Sequence, residues 1–164
     1  MYISAKVDYA MRVLLALAAA PEVALTGEAL ATAQGLPVKF TENTLVELRR
    51  AGIVTSSRGP TGGYRLARAA ENIAVADIFR ILEGPLAEVR GQRPEDAVYE
   101  APATNLRQVW VAVRGALRLV LESVTLADVL SGDLPAPVAE LLAAPDAWQR
   151  RAIGPAGSAP RPGP

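Results

Sequence analysis

Apolar side chains recur at helical spacing through most of this chain, and a glycine or proline closes nearly every run. Val7, Ala10, Met11, Leu14, Leu15, Leu17 and Ala18 form a broad stripe. The stripe predicts a helix from about Ala5 to Ala20, with Ser4 as N-cap and Pro21 as stop. Leu25, Ala29, Leu30 and Ala33 mark a short second helix, capped by Thr26, with Glu28 placed in its first turn where the helix dipole favours a carboxylate. It halts at Gly35 and Pro37. Val38, Thr41, Leu45 and Leu48 then share one face of a third helix, whose other face carries Lys39, Glu42, Asn43, Val46, Arg49 and Arg50. Two short helices joined by a tight glycine-containing turn, the second with a polar and basic outer face, are the sequence form of a helix-turn-helix.

Gly52 suits the end of that third helix, where a positive φ is wanted. Ile53, Val54 and Thr55 read as a strand and Tyr64, Arg65 and Leu66 as its return. Arg58, Gly59, Pro60, Thr61, Gly62 and Gly63 between them form a hairpin tip too short and flexible to be core. The hairpin is a wing. An arginine at such a tip can approach a narrow minor groove, where negative potential concentrates. Gly62 and Gly63 serve turn geometry, and Tyr64 packs the wing onto the core with its hydroxyl free for a phosphate.

Arg68–Asn72 is a polar connector. From Ile73 to Leu82 another amphipathic helix places Val75, Ile78, Phe79 and Leu82 on one side and ends at Gly84-Pro85. Periodicity then disappears from Glu88 to Pro102, a loop longer than a compact domain usually tolerates without a purpose. A long helix follows, about Thr104 to Ser123. Leu106, Trp110, Val113, Leu117, Val120 and Val124 alternate spacings of four and three, the pattern of a coiled-coil seam, and Val109, Ala116 and Leu119 widen the stripe. A second copy of the chain is the simplest cover for it. Thr125 caps a last short helix, Leu126–Leu130, ended by Gly132; Val138–Leu142 can add a turn or two. From Gly154 onward the proline- and glycine-rich tail is expected to be disordered.

The run R-A-G-I-V-T-S-S-R-G-P-T-G-G-Y-R-L-A, the opening I-S-A-K-V-D-Y-A-M-R-V-L-L-A-L-A and the later D-I-F-R-I-L-E-G-P-L together resemble the winged-helix regulators of the IscR and NsrR type, the Rrf-two family. The resemblance covers roughly Met1 to Leu130, and the wing motif is its specific part. It implies a sequence-specific DNA-binding transcriptional regulator in which Lys39, Glu42 and Asn43 face the major groove. The chemistry allows this: glutamate accepts from the cytosine amino group and asparagine bonds adenine bidentately. Arg49 and Arg50 are candidates for phosphate contact or for pairing with Glu47. Arg58, Thr61 and Tyr64 complete the expected DNA-binding set. Many relatives hold an iron–sulfur cluster through three cysteines in the loop before the long helix, some with a further ligand near Asp8. Here that loop has none, and carboxylates do not replace thiolates in such clusters. No cofactor is therefore expected, and Asp8 reads as a helix-start carboxylate.

Composition narrows the field further. The chain of 164 residues has no cysteine and no histidine, so it has no thiolate nucleophile, disulfide, imidazole base or Cys/His metal site. Only Lys6 and Lys39 are lysines, and no nucleophile-elbow or P-loop pattern occurs; an enzyme is not expected. Net charge is zero, but residues 1–68 hold eight basic and five acidic side chains, while the remainder holds nine and twelve. Phosphate neutralisation is local, so the basic half is the half that matters for DNA. Its modest excess predicts that two subunits share one site. Lys6, Asp8 and Arg12 interrupt the first helix, so it is neither a signal peptide nor a membrane span, and the protein is expected to be cytoplasmic.

The expected fold is mainly α: a winged helix-turn-helix with a two-stranded β wing over residues 1–68, a connecting helix and sensor-position loop over 69–103, a dimerisation helix and short following helix over 104–131, and a C-terminal extension over 132–164. The expected partners are double-stranded DNA bearing a pseudo-palindromic operator and a second copy of the chain. Repression is the expected outcome, since a bound dimer blocks polymerase. The 88–102 loop is either a solvated connector or a site for a small polar ligand or partner protein. The alternative for the whole chain is a cluster-less winged-helix scaffold that binds protein rather than DNA.

Overall fold

The computed structural model describes residues 2–149; the tail expected to be disordered from residue 154 lies outside them. The elements in order are α1 (Ala5–Ala19), α2 (Gly27–Gln34), α3 (Val38–Arg50), β1 (Val54–Ser57), β2 (Gly63–Leu66), α4 (Val75–Glu83), α5 (Leu106–Leu121), α6 (Leu126–Ser131) and α7 (Ala136–Ala143). Short 3₁₀ turns occupy Ala70–Asn72 and Pro94–Asp96. The protein is a winged helix-turn-helix followed by a helical extension, as the hydrophobic pattern predicts.

Local chemistry sets the helix starts. Ser4 accepts from the Val7 backbone N–H and Thr26 from that of Ala29, each meeting one of the donors a helix start leaves open. Thr125 and Asp128 form a full capping box at α6. Its hydrogen bonds, from the Thr125 backbone first and its hydroxyl second, hold the Asp128 carboxyl below the usual aspartate range. Between α2 and α3 the chain turns through Gly35 at φ 63°, a left-handed conformation that costs a side-chain-bearing residue more.

Helix α1 is the hub. Its Ala10, Val13, Leu14 and Leu17 meet Leu30 and Ala31 of α2, Leu45 and Leu48 of α3, Ile53 and Val54 at the wing root, Ile78 of α4 and Leu126 of α6 in one core. A second, smaller cluster joins Val7 of α1, Ala76 and Phe79 of α4 and Leu121 of α5. Fully burying one such aliphatic side chain is worth about 1.5 to 3 kcal/mol, so this set holds α3 rigidly against α1.

Three expectations shift. The fourth helix begins at Val75 rather than Ile73, because residues 73–75 pair with 124–126 instead. Leu126 donates to the Ile73 carbonyl at 3.0 Å and Val75 to the Val124 carbonyl at 2.9 Å. The same pairing takes Val124 out of the seam: it lies beyond the end of α5 and is 6% exposed, inside its own subunit. Nor is the 88–102 segment featureless. Val89 and Gln92 exchange backbone hydrogen bonds, Pro94 and Ala97 are buried, and Glu95 forms an ion pair with Arg114 of α5.

The wing is anchored by more than its hairpin. β1 and β2 pair antiparallel with Val54 opposite Leu66 and Ser57 opposite Gly63. Leu25 adds a bridge, with N–H···O bonds of 3.1 and 2.8 Å exchanged with Tyr64. That approach requires Gly63: a Cβ there would stand 2.7 Å from the Leu25 backbone. Gly63→Ala is therefore expected to lower unfolding free energy by roughly 1 to 3 kcal/mol. Urea denaturation checks this; an unchanged midpoint would contradict the close approach.

Candidate nucleic-acid interface

Thr41, Thr44, Leu45 and Leu48 face inward from α3 and fix its roll. Thr44 uses its hydroxyl internally, donating to the Phe40 carbonyl at 3.0 Å. The roll leaves Lys39, Glu42, Asn43, Arg49 and Arg50 exposed. Val38 belongs with the outer residues too, being 41% exposed at the first position of the helix. Pro37 precedes it and offers no side-chain cap, so the first N–H groups of α3 remain available to an anion such as phosphate.

The charges on this helix divide into fixed and free. Glu47 pairs with Lys6 of α1 at 2.8 Å, rather than with Arg49 or Arg50. This neutralises the carboxylate nearest the two arginines and ties α3 to α1. Arg49 donates to the Ser56 hydroxyl at 3.2 Å, which links α3 to the wing strand β1. Lys39, Glu42, Asn43 and Arg50 have no side-chain hydrogen bond or ion pair among the described residues. The stem of Glu42 lies against the start of α2: a Cβ on Gly27 would stand 3.2 Å from its Cγ.

At the wing, Arg58 and Thr61 are exposed and Arg58 has no partner among the described residues. Tyr64 is half-buried against the main core, as its expected packing role requires. Arg65 donates to the Pro21 carbonyl at 3.0 Å and so belongs to the wing's anchoring. The sequence reading missed three positioning contacts: Lys6 with Glu47, Arg49 with Ser56, and the edge-on packing of Tyr9 against Phe40, 5.4 Å between centroids at 81°. All but one join distant parts of the chain, where no periodicity signals a partner.

Away from this face, the residues expected to form a seam separate. Leu106 and Trp110 line surface hollows under the 84–99 segment, and Leu117 packs against the Val7–Phe79 cluster of its own subunit. Val113 is 42% exposed and Val120 half-buried. The apolar residues that α5 leaves exposed are Val109, Val111, Ala112, Val113, Ala116 and Leu119, with Val120 half-buried beside them. At 100° per residue, Val109, Val113, Ala116 and Val120 fall on one narrow face.

The family model described as "Rrf2: Iron-dependent Transcriptional regulator" matches residues 3–132. Rv1287 of Mycobacterium tuberculosis, whose name places it among HTH-type transcriptional regulators, is 46% identical over 142 residues, covering 86% of this chain and 88% of that one. The HTH-type transcriptional regulator CymR of Bacillus subtilis is 35% identical over 132 residues, covering 80% and 91%. Its solved structure, described as the global cysteine regulator of that organism, superposes with a TM-score of 0.69 at 33% identity, covering 80% of this chain and 98% of that one. IscR of T. potens superposes with a TM-score of 0.66, also at 33% identity, covering 80% and 88%.

The iron in the family description finds no fitting donors here. The sequence contains no cysteine or histidine, and no group of three or more acidic residues placed to hold a metal occurs among the described residues. An iron–sulfur cluster needs thiolates, which this chain does not offer. No described helix is long and apolar enough to cross a membrane. Fold, wing and sequence identity converge: the chain belongs to the Rrf2 family of transcriptional regulators, DNA-binding helix-turn-helix proteins and not enzymes.

Proposed function

We propose that two copies of this chain bind a pseudo-palindromic operator in the cytoplasm and repress the adjoining gene by occluding polymerase. Each subunit presents α3 to a major groove and its wing to the neighbouring backbone or minor groove. The observation that carries this reading is a set of side chains without internal partners on two linked elements: Lys39, Asn43 and Arg50 on α3 and Arg58 on the wing. In a helix surface built only for solubility, Arg50 would be expected to pair along its own helix; here the nearby carboxylate, Glu47, is held by Lys6 instead. Arg49, Arg50, Thr61 and the Tyr64 hydroxyl position the protein on phosphates, and Lys39, Glu42 and Asn43 read base edges. The subunits join through the outward face of α5.

Glu42 is the discriminating test. A carboxylate among phosphates is repelled unless a base amino group answers it, so Glu42 contributes selectivity more than affinity. Glu42→Ala is expected to reduce operator affinity by about 10-fold and to leave scrambled DNA unaffected or bound slightly better. Fluorescence anisotropy with both duplexes checks this; equal losses on the two would contradict it.

The second reading, a scaffold for a partner protein, draws on Val38 and Phe40, 41% and 37% exposed at the start of α3. It predicts no preference among duplexes at physiological salt. In either reading the signal is received away from α3, at the 88–102 segment, without an iron–sulfur cluster.

A further inference from the structure

The segment from Pro85 to Glu95 covers a hollow of about 520 Å³ beside α5. Its wall carries four guanidinium groups from three parts of the chain: Arg80 of α4, Arg93 of the loop, and Arg114 and Arg118 of α5. Glu88 and Glu95 are the acidic residues lining it, and Pro85, Leu86, Ala87 and Pro94 supply its apolar walls.

Three of the four arginines are held by ion pairs. Arg114 pairs with Glu95, and its side chain is only 12% exposed. The hydrogen bond from Arg114, ahead of every other influence, holds the Glu95 carboxyl below the usual glutamate range. Arg80 pairs with Glu122, and Arg118 reaches the same carboxylate at 3.6 Å, so two cations share one anion. Arg93 makes no side-chain hydrogen bond or ion pair among the described residues, and its charge adds to that of Arg114 in lowering the Glu95 carboxyl. Four cations thus stand against Glu88, Glu95 and the shared Glu122. Each guanidinium has five N–H donors in a fixed fork, and one or two contacts leave most of them unused.

The loop bordering the hollow is itself unusual. Ala87 and Arg90 are the two non-glycine residues with positive φ among the described residues, at 55° and 54°. Such backbone persists where the surroundings over-determine it, and it clusters at functional sites. Here it folds the segment so that Leu86, Ala87 and Glu88 face the α5 arginines.

We propose that this hollow binds a small polyanion, a molecule carrying phosphate or multiple carboxylate groups, between Arg93, Arg114 and Arg118. Acid oxygens match the guanidinium fork bidentately and use the donors that Glu95 and Glu122 leave open. The proposal deepens the reading of the 88–102 segment as the place where the signal is received. Occupancy ties the loop and α4, which packs on α1 of the DNA-binding body, to α5, which carries the exposed apolar face.

Isothermal titration of the full chain with inorganic pyrophosphate and, separately, with citrate tests it. Saturable binding of one ion per chain is expected for at least one probe, with a dissociation constant on the order of 10 to 500 μM. Arg93→Ala and Arg118→Ala should each weaken it by about 10-fold or more, and thermal melts of both variants establish that they fold. Arg58→Ala should bind the probe as the parent does, which separates this hollow from the DNA-facing surface. Pyrophosphate alone identifies a phosphate-bearing ligand and citrate alone a polycarboxylate. Saturation with neither probe up to about 10 mM, or equal binding by folded Arg93→Ala and Arg118→Ala, overturns the site. Operator affinity with and without the bound probe is read separately. A shift of about threefold or more supports the sensor reading; binding with no shift removes that reading and leaves the anion site standing.

Discussion

Replacing Arg58 with alanine is expected to lower operator affinity by about 30- to 150-fold while leaving the thermal unfolding midpoint unchanged. The size follows from symmetry. A dimer carries two wings, and losing one charge-assisted contact in each costs roughly 2 to 3 kcal/mol together. The unchanged midpoint follows from the structure: Arg58 is exposed, sits at the tip beyond Ser57 and Gly63, and has no internal partner among the described residues. The slope of log affinity against log salt should also become shallower by roughly 2 as two counterion-releasing contacts disappear. Electrophoretic mobility shift over a salt series gives both quantities. A folded Arg58→Ala variant that held operator as tightly as the parent would remove the wing from DNA recognition.

The second large effect lies on the exposed apolar face of α5. Val109→Glu with Ala116→Glu is expected to convert a dimer to a monomer and to lower operator affinity by at least about 100-fold. Both positions are exposed in the single subunit, so the substitutions leave its own core intact. In a two-fold interface each residue is presented twice, so four carboxylates would be brought together with no cation supplied for them. Sedimentation velocity reads the association state and anisotropy the DNA affinity. If the doubly substituted protein remained dimeric, the subunits would join elsewhere; if it were monomeric yet bound operator undiminished, the two-subunit reading would fail. Leu117 is the wrong place for this experiment. It packs against its own subunit's Val7–Phe79 cluster, and changing it would confound folding with assembly.

These two experiments also mark what the sequence made legible. The wing was readable because turn chemistry is local: Arg58 to Gly63 lie between two short β runs, and nothing distant is needed to place them. Thr41, Leu45 and Leu48 on the buried side of α3 are readable from spacing; Thr44, also buried, is not among them, and Val38 begins the helix at the edge of the packed surface and remains 41% exposed. The seam on α5 was less legible for a geometric reason. Its apolar arc is broad enough to serve two purposes, and periodicity cannot say which edge meets the subunit's own core. Leu117 and Trp110 turned inward, while Val109, Val113, Ala116 and Leu119 stayed out. Val124 continues the same apolar repeat past the helix end, but there the backbone has left α5 to pair with Val75. The Arg114–Glu95 pair was hidden for another reason: an aperiodic loop gives no sign of which charges it will carry onto a helix behind it. Absence was easier to read than contact, since a chain without thiolates excludes a thiolate-bound cluster whatever its fold.

Selection of bound sequences from a pool of random duplex DNA, using the purified full chain, bears most directly on the central claim that paired α3 helices and wings read an operator. The account predicts enrichment of an inverted repeat whose half-site centres lie about one helical turn apart. A pool that emerges unenriched at physiological salt, or a consensus lacking two-fold symmetry, would contradict it.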